Sequence, residues 1–211
     1  MRFQTLYEGR AIFAVVFLLG AVGWWFHLPW LLGLFGVLFL FCVNFFRDPH
    51  RDVPTEPGLV ISAADGTVTD IVEVEEPEFL KSKCLRVGVF LSVFDVHVNR
   101  APIAGKVTFV RHFPGLFLDA RDLECSVKNE AMAWAFEGEG VTLVVRQITG
   151  AIARRIVPWS KLGDVVQRGH RFGMIRFGSR TEVYLPLGTE VTVEVGQKVK
   201  GGLTPIARLS R

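Results

Sequence analysis

Two uncharged apolar runs open the chain, Ala11–Phe26 and Trp30–Phe46, with His27-Leu28-Pro29 between them. Neither run has a polar face, so neither suits the surface of a soluble domain. A single helix through both would be broken or kinked at Pro29, so the pattern predicts two short helices joined by a tight turn. Each run is short against the ~20 residues that usually span a bilayer, so the hairpin either crosses twice or dips into one leaflet. Trp24, Trp25 and Trp30 fall around the turn, where interfacial aromatics belong. Arg2 and Arg10 precede the hairpin and Arg47 and Arg51 follow it, which predicts both ends on the cytoplasmic side of the cell (inner) membrane. The run is doubled and lacks a small-residue cleavage site, so it does not read as a cleaved signal peptide.

From about Asp52 the pattern changes to short runs rich in Val, Ile, Thr and Phe, separated by Gly, Pro and Asp. Thr67–Val74, Leu85–Ser92, Lys106–Arg111, Ala131–Phe136, Val141–Ile148, Glu182–Leu185 and Thr189–Val195 read as strands. Arg154–Leu162 reads as a short helix or as a strand ending in a turn. Two stretches share the spacing G-x-x-V-x-x-G, Gly163–Gly169 and Gly196–Gly202, and a glycine precedes a strand at both Gly66 and Gly105. The expected fold is mainly β: a β-rich, barrel-sandwich-like domain over 52–211, preceded by a membrane helical hairpin over 1–51.

Composition narrows the function classes. Half the residues are hydrophobic and mean hydropathy is positive, which excludes a disordered chain. A net charge of +3 from 24 basic and 21 acidic residues is too balanced for a nucleic-acid binder recognised by bulk charge, so no nucleic-acid partner is expected. Three widely spaced cysteines, Cys42, Cys84 and Cys125, form neither a disulfide framework nor a CxxC site and read as reduced, structural thiols. No HExxH or close His/Asp cluster is present, so no metal site is expected. Phosphate-binding glycine loops and the G-x-S-x-G nucleophile elbow are also missing.

Two stretches carry candidate chemistry. His97 lies in Leu91–Pro102, where Asp95, His97 and Asn99 would share one face of an alternating strand. It reads either as a base held by a carboxylate or as a hydrogen-bonded strand edge. His27, His50, His112 and His170 read as surface or satisfied polar residues. Gly178-Ser179 lies between apolar stretches and reads either as a tight turn or as a strained peptide bond that the Ser179 hydroxyl attacks.

Phe177-Gly178-Ser179-Arg180 before an apolar strand resembles the self-cleavage site of the short bacterial and archaeal phosphatidylserine decarboxylases. Other stretches match that family in order: Ser62–Gly66, Leu91–Pro102, Lys128-Asn129-Glu130, Gln147–Val157 and Gly169–Ile175. The chain departs from the longer bacterial enzymes in having Phe-Gly-Ser-Arg for Leu-Gly-Ser-Thr, and Arg100 where they carry a second histidine. The resemblance implies cleavage between Gly178 and Ser179 into a large chain (1–178) and a small chain (179–211). It also implies a covalent pyruvoyl cofactor made from Ser179, and conversion of phosphatidylserine in the bilayer to phosphatidylethanolamine and carbon dioxide. Asp65 and His97 are expected to form the base, the carboxylate orienting the imidazole. Arg100 and Arg180 adjoin the two motifs and are candidate substrate ligands, and a homo-oligomer is expected. The competing readings are a non-enzymatic, membrane-anchored β-sandwich adaptor and a pyruvoyl decarboxylase of a related lipid such as archaetidylserine.

Overall fold

The computed structural model describes residues 3–152, 155–176 and 178–209. The chain divides into two compact units, Met1–His50 and Arg51–Arg211. The first is a pair of helices, α1 (Phe3–Trp25) and α2 (Pro29–Phe45), with Pro29 in the first turn of α2, where its missing N–H costs no helical bond. Small residues on α1 let the helices pack as an antiparallel hairpin. A Cβ at Gly23 would lie 2.9 Å from the Leu31 Cβ, and the Phe13 and Phe39 rings meet edge-on at 5.6 Å.

The hairpin was expected from the apolar runs, but α1 begins well before the first of them. Polar residues between Gln4 and Arg10 continue the helix, since helix formation does not require apolar side chains. The extra turns matter: Gln4–Trp25 is long and apolar enough to cross a membrane, whereas α2, at 17 residues, is shorter. Trp24, Trp25 and Trp30 are exposed around the turn.

Among the described residues, the regular elements of the second unit are strands and one short helix. In order it contains β1 (Leu59–Ile61), β2 (Gly66–Glu76), β3 (Ser82–Leu91), β4 (Val98–Arg100), β5 (Gly105–Phe113), α3 (Cys125–Lys128), β6 (Ala131–Gly138) and β7 (Val141–Ile148). There follow β8 (Arg155–Pro158), β9 (Val165–Val166), β10 (Arg171–Arg176), β11 (Ser179–Pro186), β12 (Glu190–Val191), β13 (Lys198–Val199) and β14 (Pro205–Arg208). Arg154 lies outside the described residues; of the two alternatives for that region the strand is realised, as β8. Thr189–Val195 yields only the two-residue β12.

Eight strands form one curled antiparallel sheet in the order β13-β2-β3-β11-β7-β6-β5-β9. Two three-stranded sheets, β1-β14-β12 and β4-β10-β8, complete the unit. The repeated glycine pattern has a structural counterpart. Gly163, Gly169, Gly196 and Gly202 all adopt positive φ, and the two repeats deliver β9 and β13 to opposite edges of the large sheet. There β9 pairs with β5 at Gly105, and β13 pairs with β2 at Gly66.

One face of the large sheet packs with β1, β14 and β10 into the main core, with Val60, Val87, Leu91, Trp134, Phe136, Phe172, Val183 and Leu185 buried together. Phe172 of β10 meets Trp134 and Phe136 of β6 at ring distances of 4.9 and 5.3 Å, which locks the small sheet carrying β4 onto the large one. Trp134→Ala is expected to cost about 3–5 kcal/mol, because this joint cannot collapse around the cavity; chemical denaturation of the variant measures it.

Candidate active site

Strand β11 is central, hydrogen-bonded to β3 on one side and to β7 on the other. Alternation divides its side chains between the sheet's two faces. Val183 and Leu185 enter the main core, and Ser179 and Thr181 precede them on that face, while Tyr184 packs in a second cluster on the opposite face, behind Arg180 and Glu182. Phe177 lies outside the described residues. Gly178 has φ +49, a left-handed conformation that glycine adopts at little cost. Ser179 follows as the first residue of β11, opposite Leu91, and is fully buried. Its Oγ finds no hydrogen-bond partner among the described residues. A buried hydroxyl in that state costs roughly 1–3 kcal/mol of stability.

The peptide just before Ser179 is packed closely. Arg180 pairs with Ile148, and the same antiparallel register places Gly178 across from Gly150, two residues beyond the end of β7. A Cβ at Gly150 would run into the Gly178 carbonyl oxygen and lie 3.0 Å from the Ala120 Cβ. Only glycine lets the chain approach the Gly178 carbonyl this closely.

His97 is fully buried just before β4, and its backbone carbonyl accepts from the Ile175 N–H at 3.2 Å. Its Nδ1 lies 3.0 Å from the carbonyl oxygen of Asp95. That oxygen only accepts, so in the neutral ring Nδ1 carries the proton and Nε2 is the basic nitrogen. The alternating strand expected over Asp95–Asn99 is not formed, because β4 begins at Val98. Asp95 sits in a turn whose carboxylate accepts from Ser92 N–H and Oγ, both at 2.8 Å. It therefore holds His97 through its backbone rather than its side chain.

Asn99 links the two strands bearing the candidate groups. Its Nδ2 donates to Thr181 Oγ1 and to the Ala63 carbonyl, each at 3.2 Å, and its Oδ1 accepts from Gln147 Nε2.

The Asp65–His97 hydrogen bond expected from the sequence is absent. Asp65 is bound on both oxygens by Arg51, at 2.5 and 2.7 Å, and accepts from the Gly201 N–H at 2.8 Å. Arg51 also donates to the Gly201 carbonyl, and its side chain is only 4% exposed. It is thus a buried partner of Asp65 rather than a lipid-facing flank of the hairpin. Sequence spacing gave no sign of this pair, which spans a turn and the far C-terminal segment.

Neither candidate substrate arginine is at the surface. Arg100 is buried, and its NH1 donates to the Gly169 carbonyl at 3.3 Å. Arg180 is wholly buried within a charged network: Nε donates to Glu182 at 2.7 Å, NH1 to Thr69 Oγ1 at 2.7 Å, and NH2 to Asp70. Arg86 adds bonds to Asp70, and Glu182 also accepts from Ser126 at 2.5 Å and Tyr184 at 2.6 Å. A Cβ at Gly88 would strike both Arg180 and Asp70, so Gly88 makes the room for this pair. Burial pushes the Asp70 carboxyl up, but Arg180, Thr69 and Arg86 outweigh it and hold the group below its ordinary value. The role expected of Arg180 is corrected accordingly: its guanidinium is committed to Asp70, Glu182 and Thr69. All three cysteines are free and buried, and burial pushes Cys125 up to about 11. His112 is the exposed residue expected, 2.9 Å from Glu130.

A family model described as phosphatidylserine decarboxylase matches residues 38–207. The chain belongs to the phosphatidylserine decarboxylase family. Among curated relatives, the phosphatidylserine decarboxylase proenzyme of Symbiobacterium thermophilum is 50% identical over 182 residues, covering 85% of each chain. That of Zymomonas mobilis is 43% identical over 211 residues, covering 96% of this chain and 85% of its own. That of Cupriavidus pinatubonensis is 40% identical, covering 96% of this chain and 94% of its own. The protein is an enzyme of this family, which converts phosphatidylserine to phosphatidylethanolamine. The decarboxylase matches are to proenzymes, and the precursor reading of Gly178-Ser179 rests on that name and on the geometry above.

Proposed function

We propose that the chain is a precursor that cuts itself between Gly178 and Ser179, and that the resulting 179–211 chain starts with a pyruvoyl group. The observation that carries this reading is the buried, partnerless Ser179 hydroxyl beside a left-handed Gly178 whose carbonyl is packed against Gly150. His97 serves as the base. The Asn99–Thr181 contact supports this, because it ties the segment just after His97 to the strand that begins at Ser179. The neutral tautomer set by Asp95 leaves Nε2 as the proton acceptor. Asp65 acts at one remove, fixing Arg51 and the Gly201 backbone.

Nε2 takes the hydroxyl proton, Oγ bonds to the Gly178 carbonyl carbon, and the C–N bond breaks as the amide nitrogen takes up a proton. The result is an ester. Removal of the proton on Cα of residue 179 then expels the Gly178 carboxylate from Cβ. Water converts the remaining dehydroalanine to the pyruvoyl group and releases ammonia. Once made from Ser179, such a group would supply a ketone able to accept electrons from an amine substrate during decarboxylation. The residues present fit it, since its carbon skeleton is that of Ser179, which is fully buried at the start of β11.

Cleavage at this bond leaves the two chains interleaved. β11 stays hydrogen-bonded to both β3 and β7, β13 to β2, and β14 to β1. The substrate's acyl chains stay in the bilayer, and the apolar hairpin keeps the enzyme there. We place the catalytic unit on the cytoplasmic side of the inner membrane, from the basic residues Arg10 and Arg47.

The test is an intact mass of the purified protein followed by a lipid assay. Fragments 1–178 and 179–211, the second with a pyruvoyl mass at its start, support the reading, together with ethanolamine lipid formed from phosphatidylserine. A single chain of full mass that is nonetheless active would overturn it. His97→Ala is expected to slow processing by about 10²–10⁴-fold, the usual contribution of a positioned base. Precursor accumulating over time on a denaturing gel measures the effect.

A further inference from the structure

The scissile carbonyl is supported from behind by a segment with no part in the chemistry. This segment runs from Pro114 to Glu130 and lies along the end of β7. Gly115 lets it sit flush: a Cβ there would be 2.5–2.6 Å from the backbone of Lys128, Asn129 and Glu130. Leu116 and the 128–130 stretch exchange backbone bonds at 2.7 and 2.9 Å. One side chain then joins this segment to the scissile region. Asn129 is 1% exposed. Its Oδ1 accepts from the Leu118 N–H at 2.8 Å, and its Nδ2 donates to the Leu118 carbonyl at 2.9 Å and to the Thr149 carbonyl at 2.8 Å. Thr149 is tied again, its N–H and Oγ1 both donating to the Glu130 carbonyl at 3.0 Å.

The residue after Thr149 is Gly150, whose Cα carries the Gly178 carbonyl oxygen against it, beside Ala120 of the same segment. One carboxamide therefore braces both sides of Gly150, through Leu118 towards Ala120 and through Thr149.

We propose that Asn129 is a positioning residue for self-cleavage, holding Gly150 and Ala120 so that the Gly178 carbonyl faces the Ser179 hydroxyl. The physical reason is geometric. Ser179 is the first residue of β11, and Gly178 lies beyond the last β7 pair, so the β7 ladder does not fix the Gly178 carbonyl. A left-handed glycine is free to rotate unless its carbonyl is packed. Intramolecular attack requires the carbonyl carbon close to Oγ and correctly turned, and a misplacement of about 1 Å can cost on the order of 10²-fold in rate. Asn129 touches none of the reacting atoms and acts through Thr149 and Gly150.

This inference rests on the self-cleavage reading, and the experiment separates the two. Asn129→Asp keeps the shape but replaces both N–H donors with a carboxylate facing two carbonyl oxygens. Gly150→Ala changes no polar group and pushes on the Gly178 carbonyl directly. Full-length precursors of both, made by rapid cell-free synthesis in detergent and purified as folded material by size exclusion, are followed for conversion to 1–178 and 179–211. Hydroxylamine is added to matched samples to cleave any ester that has formed.

Both variants are expected to convert about 10²-fold more slowly than wild type, with the unconverted chain resistant to hydroxylamine, so that the block precedes ester formation. A merely structural role would lower the yield of folded protein without slowing conversion of the folded fraction. Conversion of folded Asn129→Asp at the wild-type rate overturns the proposal, as does a slow variant that accumulates hydroxylamine-sensitive ester. If Asn129→Asp does not fold, Gly150→Ala decides by the same criteria. If the wild type itself stays whole, it is the self-cleavage reading that fails.

Discussion

Ser179→Ala is expected to leave one uncut chain of 211 residues with decarboxylation of phosphatidylserine at background, while stability is unchanged or slightly higher. The combination is unusual for a fully buried position, where most substitutions destabilise. It follows from the environment of the hydroxyl. Ser179 Oγ makes no hydrogen bond among the described residues, so its removal forfeits none and relieves the penalty of burying an unsatisfied polar group, roughly 1–3 kcal/mol. Alanine fits the extended start of β11, and its backbone pairing with Leu91 is retained. Activity, by contrast, has no second route, because the group that would carry it is made from the serine itself. Intact mass, thermal unfolding and release of labelled carbon dioxide from phosphatidylserine check the three parts. Loss of activity with normal cleavage would show that Ser179 acts otherwise than as the source of the cofactor.

The second large effect is expected at Arg180. Arg180→Leu should cost about 3–5 kcal/mol, because it strips the main counter-charge from two buried carboxylates. Glu182 is fully buried and Asp70 nearly so, and Arg86 alone remains to offset both. For a chain of this size, that corresponds to a fall in melting temperature of roughly 6–20 °C. The double variant Arg180→Leu, Glu182→Met should recover part of the loss, because fewer charges then remain buried without partners.

The pH dependence gives an independent check. Asp70 is held below its ordinary value in the folded protein, so its contribution is present above the usual carboxylate range and is lost as pH falls through the lowered value. In Arg180→Leu the burial of Asp70 is less opposed and its carboxyl takes up a proton more readily. The stability gap between wild type and variant should therefore narrow on acidification. A gap independent of pH would mean that the arginine contributes packing rather than charge.

The network also shows why Arg180, next to Ser179 in sequence, faces other partners. A residue adjacent in sequence on a strand points to the opposite face of the sheet. Ser179 and Thr181 share the face that bears the main core, while Arg180, Glu182 and Tyr184 lie behind it with Asp70, Arg86 and Ser126. After cleavage Arg180 and Glu182 would belong to the small chain and Asp70, Arg86 and Ser126 to the large one. The buried charges would then fasten the two chains together directly behind the new terminus.

Local pattern alone determined the helical hairpin, the change to strand-rich sequence after it and the identity of the longer strands; it left Gly178-Ser179 as either a tight turn or a reactive peptide, and the family resemblance pointed to the second. Uncharged apolar runs must leave water, β-branched runs between glycines favour pleated backbone, and a glycine before a serine leaves a carbonyl open to attack. The paired glycine repeats were also legible, since four positive-φ positions constrain residue type wherever they occur. Tertiary structure alone decided which groups meet. Asp65 pairs with Arg51 and Gly201 rather than His97, because the C-terminal segment folds back beside the Asp65 turn. Asn129 reaches Thr149 because β6 and β7 run antiparallel, bringing the residues just before one strand beside those just after the other. Gly150 faces Gly178 because β11 inserts beside β7 in a register that sequence spacing does not encode. Each of these contacts joins positions far apart in the chain, and single residues carry no mark of such partners until the sheet is assembled.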